Sequence, residues 1–406
     1  MIRYIFICLF AAILTTSNAQ NFDPNTIREH IKTLADDSFQ GRGTGTAGEK
    51  SASIYIESAF KKLKLQPKGD NQTYFQSFPF KAGAHGEGDA GTGRNIVAYL
   101  DNQAKTTVII GAHYDHLGTD GQGSSLEANP KGKIHNGADD NASGVAGVIE
   151  LAKYFSTNSI KENNNFLFLC FSGEEMGLIG SKYIAEHPPV DLSTVNYMIN
   201  MDMIGRLDTQ TKIVLVHGTG TSPVWETLLK KLENENLKIK TDSSGTGPSD
   251  HTSFYLKDLP VLHFFTGSHT DYHKPSDDWN KINAEGEAEV LKLIARIIDS
   301  VDGEPKLAFL KTKSKAMGGR SSFKVTMGIM PSYSSEGKGL KVDGVTDGRP
   351  GHKAGILTGD VIIQMGDHVI DDIQNYMDAL GKFEKGQTVP VKLKRGEETL
   401  TVSVTF

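Results

Sequence analysis

The sequence predicts an α/β fold: a mainly parallel central sheet flanked by helices, followed by a small second domain built of strands. Three observations predict it. Short apolar runs alternate with amphipathic helical stretches through the first three hundred or so residues, the pattern of a parallel sheet with crossover helices. The run Phe166–Phe171 is apolar at every position, as in a strand buried on both faces. Composition then shifts at Gly303, where a stretch rich in Lys, Ser and Gly precedes a new set of strands.

The elements follow in order. Residues 1–19 read as a secretory signal peptide, with Arg3, an apolar centre from Ile5 to Leu14, and the small-residue cleavage site Ser17-Asn18-Ala19. The apolar centre is too short to span a bilayer, so the mature protein is expected to be periplasmic or secreted, without stable membrane insertion. Helical spacing covers Asn25 to Leu34 and Glu49 to Leu63, and the glycine-rich stretch between them reads as a surface turn bordering a cleft. Strands are predicted at 95–100, 106–110, 166–171, 195–200, 213–216 and 261–265. Helices are predicted at 145–155, near 181–185, at 224–232 and at 284–301. The α/β domain is thus expected over 20–303, a linker over 304–322, and the second domain over 323–406.

The chain has 406 residues and a formal charge of −6, which disfavours nucleic acid as a partner. Of its two cysteines, Cys8 lies in the leader and Cys170 in the buried strand. The mature chain therefore has no internal disulfide, and Cys170 reads as a small core hydrophobe.

At several strand ends a potential metal ligand follows at once. His113 and Asp115 follow Val108-Ile109-Ile110, Glu174 and Glu175 follow Phe166–Phe171, and Asp202 follows Met198-Ile199-Asn200. His273 comes after Val261–Phe265 at a longer distance, and Asp139 enters from the loop before a helix. Strand ends of a parallel sheet share one edge, where ligands bind, so these groups are expected to converge. Imidazole with carboxylate suits zinc. Two histidines and three carboxylates suit two ions sharing a carboxylate, with one glutamate left to move protons. His116, His251 and His269 read as polar surface.

Together these residues resemble the zinc-dependent aminopeptidases of the glutamate carboxypeptidase II group. The resemblance rests on Ala112-His113-Tyr114-Asp115, on Gly137–Gly144 (Gly-Ala-Asp-Asp-Asn-Ala-Ser-Gly), on Glu174-Glu175, on Asn200-Met201-Asp202 and on Tyr272-His273, and it covers roughly residues 24 to 301. It implies two zinc ions bridged by Asp139, one completed by His113 and Asp202, the other by Glu175 and His273. It implies Glu174 as general base, Asp115 as the partner that fixes the His113 tautomer, and Tyr272 as a donor to the developing oxyanion. Asp140 would shape the backbone, through a cis peptide as in relatives, Asp250-His251 matches a Ser-Asp-His stretch of the family and would lie near the cleft, and the substrates would be peptides with a free N-terminus. A glutaminyl cyclase, a carboxypeptidase with Arg206 holding the substrate carboxylate, and a binding protein with an inactive hydrolase are the competing expectations.

Residues 323–406 resemble a PDZ domain. Met327-Gly328-Ile329-Met330 stands where a carboxylate-binding loop is expected, and Gly348–Gly355 and Gly359–Ile362 match the family's small-residue pattern. The resemblance implies a C-terminal peptide ligand held by backbone N–H groups near Gly328 and Ile329, with a packing module as the alternative.

Overall fold

The computed structural model describes residues 22–81, 90–312, 325–331, 338–345, 348–371 and 373–406. The predicted leader lies outside the described residues, as do residues 313–322 of the linker. A nine-stranded sheet organises the first domain. In space its strands run Gln66–Pro67, Ala90–Leu100, Asn164–Phe171, Thr106–His113, Val195–Met201, Val261–Phe265, Ile213–His217 and Lys238–Asp242, with Phe75–Lys81 paired to Ala90–Leu100. The centre is parallel: Thr106–His113 pairs in parallel with both Asn164–Phe171 and Val195–Met201, and Val261–Phe265 continues in parallel. Ala90–Leu100 joins antiparallel at one side, and Ile213–His217 pairs antiparallel with Val261–Phe265 at the other.

The apolar runs alternate between two cores. Phe166, Phe168 and Cys170 point into a core with the helices Pro24–Leu34, Ala47–Lys62, Gly144–Thr157 and Ala284–Val301. Leu167, Leu169 and Phe171 point the opposite way, against Ile184 and Phe254 of the helices Ile179–Glu186 and His251–Tyr255. Burial on both faces explains why these strands are apolar at every position. Local chemistry sets the helix starts. Asp23 accepts from the Asn25 N–H ahead of Pro24, Thr46 accepts from the Glu49 N–H, and Asn283 accepts from the Gly286 N–H. Asn141 accepts from the Gly144 N–H at the head of the next helix.

The glycine-rich stretch departs from expectation. It carries Arg42, which is fully buried. The guanidinium donates to the carbonyls of Leu34, Tyr114, Asn136 and Gly137 at 2.6–2.8 Å. It ties the His113–His116 turn to the Gly137–Gly144 turn, and it is a bolt rather than a surface loop. Burial pushes its pKa down to about 10, so it remains a cation. The first part of the predicted linker is also packed. The Leu310 N–H donates to Thr221 O, and the Thr312 N–H donates to the Tyr255 hydroxyl.

The second domain has its own antiparallel sheet, ordered Ile329–Pro331, Leu340–Val345, Val361–Met365, Thr388–Arg395 and Glu398–Thr405, and its own core around Met327, Val342, Met365 and Val391. The sequence predicts a strand over 324–330, and among the described residues it is confined to Ile329–Pro331. The Gly328 N–H, expected to face a carboxylate, donates to the Thr326 hydroxyl at 3.1 Å. Among the described residues, no helix is long and apolar enough to cross a membrane.

Candidate metal centre and pocket

The C-terminal ends of the parallel strands deliver the donors to one pocket, lined among others by His113, Asp140, Glu174, Glu175, Asp202 and His273. Two groups of ligand atoms form, each within 4.8 Å of one another: His113, Asp140 and Asp202, and His116, Asp140 and Glu175. His113 Nε2 lies 3.4 Å from Asp140 Oδ1 and 3.3 Å from Asp202 Oδ1. His273 Nε2 lies 3.3 Å from Asp140 Oδ2 and 3.2 Å from Glu175 Oε2. Asp140 is common to both groups, one oxygen toward each.

The expectation that Asp139 stands at the centre is corrected here. Asp139 is buried and turned away. Its Oδ1 accepts from the Gly205 N–H at 2.7 Å and from the Ser143 hydroxyl at 3.1 Å, and its Oδ2 faces His269 Nε2 at 3.1 Å. The backbone makes the exchange. Asp277 Oδ2 accepts the N–H groups of both Asp139 and Asp140, and the Asp140–Asn141 peptide is cis. Gly137 precedes the turn at φ +54°, and a Cβ there would collide with the Asp140 carbonyl and the His116 ring; only glycine takes that place without strain.

Asp115 sits beneath the site rather than in it. Its carboxylate accepts from the Thr44 hydroxyl at 2.9 Å and from the Glu174 N–H at 3.2 Å. His113 Nδ1 lies 3.2 Å from the Asp115 carbonyl and 3.7 Å from its Oδ1, so main chain rather than carboxylate is the closer partner. Tyr272 lines the pocket and stacks on His273 with ring centroids 3.9 Å apart. His116 was missed as a functional residue. It is fully buried, and its Nδ1 reaches Glu175 Oε1 at 2.7 Å. The single His-x-x-His spacing of His113 and His116 at one strand end was the signal that could have found it. His251 is likewise buried, not surface.

The two adjacent glutamates differ in charge behaviour. Burial raises the Glu174 carboxyl well above the usual range, against His113, and Asp250, Glu175 and Asp202 add to the rise. Burial also opposes ionisation of Glu175, but His273 and His116 hold it down at about 2. The two adjacent carboxyls thus stand in different electrostatic surroundings, one facing further carboxylates and the other facing two imidazoles. The donor set, imidazole and carboxylate in two groups around one shared aspartate, fits zinc at both positions.

The profile of peptidase family M28 matches residues 95–298, half of the chain, and the PDZ profile matches residues 325–406. Aminopeptidase YwaD of Bacillus subtilis (strain 168) is 27% identical over 221 residues, covering 52% of this chain and 44% of that protein. The chain spans less than half the length of the curated relatives it matches. A Zn-dependent exopeptidase from Parabacteroides distasonis ATCC 8503 superposes with a TM-score of 0.57 at 17% identity, covering 68% of this chain and 98% of that one. A Bacteroides thetaiotaomicron glutaminyl cyclase superposes with a TM-score of 0.56 at 16% identity, with the same coverage. These structural likenesses show a shared fold. The chain belongs to peptidase family M28, with a PDZ domain following the peptidase domain.

Proposed function

We propose that the protein is an exported metallo-aminopeptidase that removes N-terminal residues from peptides with two zinc ions. Asp140 would be shared by both ions, His113 and Asp202 would complete one, and Glu175 and His273 the other. Bound zinc supplies Lewis acidity and a water of lowered pKa. The observation that carries the reading is the pair of donor groups joined through Asp140 in a pocket that also presents Glu174.

The chain's own residues supply the rest. Glu174 is the proton carrier: it takes a proton from the attacking water and returns it to the leaving amine. Asp115 holds the Glu174 main chain and limits its reach to the pocket. Tyr272, which lines the pocket, donates to the developing oxyanion. His116 clamps one oxygen of Glu175 and leaves the other for metal, an outer partner of the kind that orients ligands. No lysine or arginine is among the pocket-lining residues. The acidic pocket therefore favours the substrate's α-ammonium over a carboxylate. Arg206 does not serve a carboxypeptidase, since its guanidinium contacts Asp271 at 2.5 Å and donates to Lys281 O at 2.9 Å. The PDZ domain is a site for an extended peptide end.

The test is a metal titration of the full mature chain on aminoacyl amides and their N-acetylated forms. Hydrolysis confined to free N-termini, maximal at two equivalents of zinc, is expected. Cleavage of the blocked series would overturn the exopeptidase assignment. Ammonia release from N-terminal glutamine with one equivalent of metal would favour the glutaminyl cyclase reading, which the shared fold supports.

A further inference from the structure

One wall of the pocket is built of imidazoles. His217, His251 and His263 all line it, together with Gly247 and Phe265. The His251 and His263 rings stack at 4.5 Å and 10°, and His217 lies 5.5 Å from His263. None of the three belongs to the groups of metal donors. His251 is fully buried, and neither of its ring nitrogens has a hydrogen-bond partner. Its Nε2 edge faces Gly247, where a Cβ would stand 2.9 Å from Nε2.

The hydrogen-bond network sets the proton on His263. Ser249 Oγ lies 2.8 Å from Asp202 Oδ2 and 2.8 Å from Asn200 Nδ2. Its hydroxyl donates to the carboxylate, so it accepts from the Asn200 amide. The same amide NH2 faces His263 Nδ1 at 3.1 Å, which therefore accepts. The neutral ring carries its proton on Nε2. Burial pushes His251 down to about 3 and His263 well below the usual range, so these two rings are uncharged, and burial lowers His217 as well, against Asp242. The wall offers donors and acceptors side by side, and Met203 and Phe265 line the same pocket.

We infer that His217, His251 and His263 form the recess for the side chain of the substrate's N-terminal residue and select a terminal carboxamide, asparagine or glutamine. The inference rests on the aminopeptidase reading above. A neutral imidazole has one N–H and one acceptor nitrogen, and both lack partners on His251. The two nitrogens of one ring point apart, so a carboxamide meets the wall through two rings: its N–H donates to the open acceptor nitrogen of His251, and its oxygen accepts from the Nε2–H of the stacked His263. A branched aliphatic group of the same shape leaves them unpaired, which is costly in a buried site. A carboxylate can only accept, and it would enter beside Glu174 and Asp202 with no cationic side chain on the wall.

The near-isosteric anilides of asparagine, aspartate and leucine test this on the zinc-loaded full chain. The expected kcat/KM for asparagine exceeds that for leucine and aspartate by at least about tenfold, since a site built to hydrogen-bond rejects analogues that cannot. His251→Phe keeps the stacking and removes both nitrogens. Gly247→Ala fills the space before Nε2. Each should bring the asparagine-to-leucine ratio toward one. Equal or better use of leucine or aspartate by the unaltered protein would overturn the inference, as would an unchanged ratio in both variants. Calorimetry with free asparagine and free leucine reads the same recess without turnover, and equal affinities would sink it. If no free-amine anilide is hydrolysed but asparagine binds at least about tenfold tighter, the aminopeptidase reading falls and the recess assignment stands.

Discussion

Exchanging the two neighbouring aspartates for asparagine separates their roles. Asp140 presents one oxygen toward His113 and the other toward His273. Asp140→Asn removes the shared charge from both donor groups. Losing even an outer partner of a metal ligand costs about 10–100-fold in affinity, so loss of a shared ligand should cost at least that at each position. Across the two ions this is about 3–5 kcal/mol. Asp139→Asn acts elsewhere. It disturbs a buried carboxylate that accepts from the Gly205 N–H and the Ser143 hydroxyl, at a cost of about 1–3 kcal/mol in stability. That corresponds to a fall in melting temperature of roughly 2–10 °C for a domain of this size. Zinc stoichiometry by mass spectrometry after chelation and reloading, with thermal melting, reads both. Zinc at 100 times its Kd adds about 2.7 kcal/mol per site, so it should raise the melting point of the unaltered protein and of Asp139→Asn, and much less that of Asp140→Asn. The reasoning is refuted if Asp140→Asn retains two ions while Asp139→Asn loses them.

Three further outcomes are expected. Glu174→Gln should keep both metals and lose about 10²–10⁴ in kcat; a variant with substantial activity would remove Glu174 from its role. His116→Phe should raise the Kd for one zinc by about 10–100-fold in chelator competition, while an unchanged Kd would reduce His116 to a packing residue. In the PDZ domain, Asp360 accepts from Arg395 Nε at 2.8 Å and from the Leu357 N–H at 2.9 Å. Burial opposes its charge, but these bonds hold its pKa below the usual range. Its stabilising effect is therefore complete above the unfolded carboxyl's pKa, near 3.9, and is lost as pH falls through the folded value. Asp360→Asn should cost about 1–2 kcal/mol at neutral pH and flatten the acid dependence of hydrogen exchange in Thr388–Arg395; equal exchange in both proteins would contradict this.

Much of this molecule is legible in its sequence because a doubly buried strand leaves a plain trace. Phe166–Phe171 must be apolar on both faces, and the polar residues after it must lie at the sheet edge. His113, Glu175, Asp202 and His273 could be placed together for that reason. The choice between Asp139 and Asp140 was not legible. They are chemically identical neighbours in an irregular turn, and the hydrogen bonds that their N–H groups donate to Asp277 and that Asp139 accepts from Gly205, both distant in sequence, decide which carboxylate faces the pocket. Arg42 was hidden similarly. A charged residue among glycines reads as surface, and only carbonyls from three separate segments make its burial affordable. Beyond its spacing from His113, nothing local marked His116 as buried, and the burial of His251 likewise followed from what packs over it. Local sequence determined the strands, the helix caps and the edge where chemistry gathers. Tertiary structure alone decided which side chain at that edge points inward, because direction within an irregular turn is set by partners the local sequence does not contain.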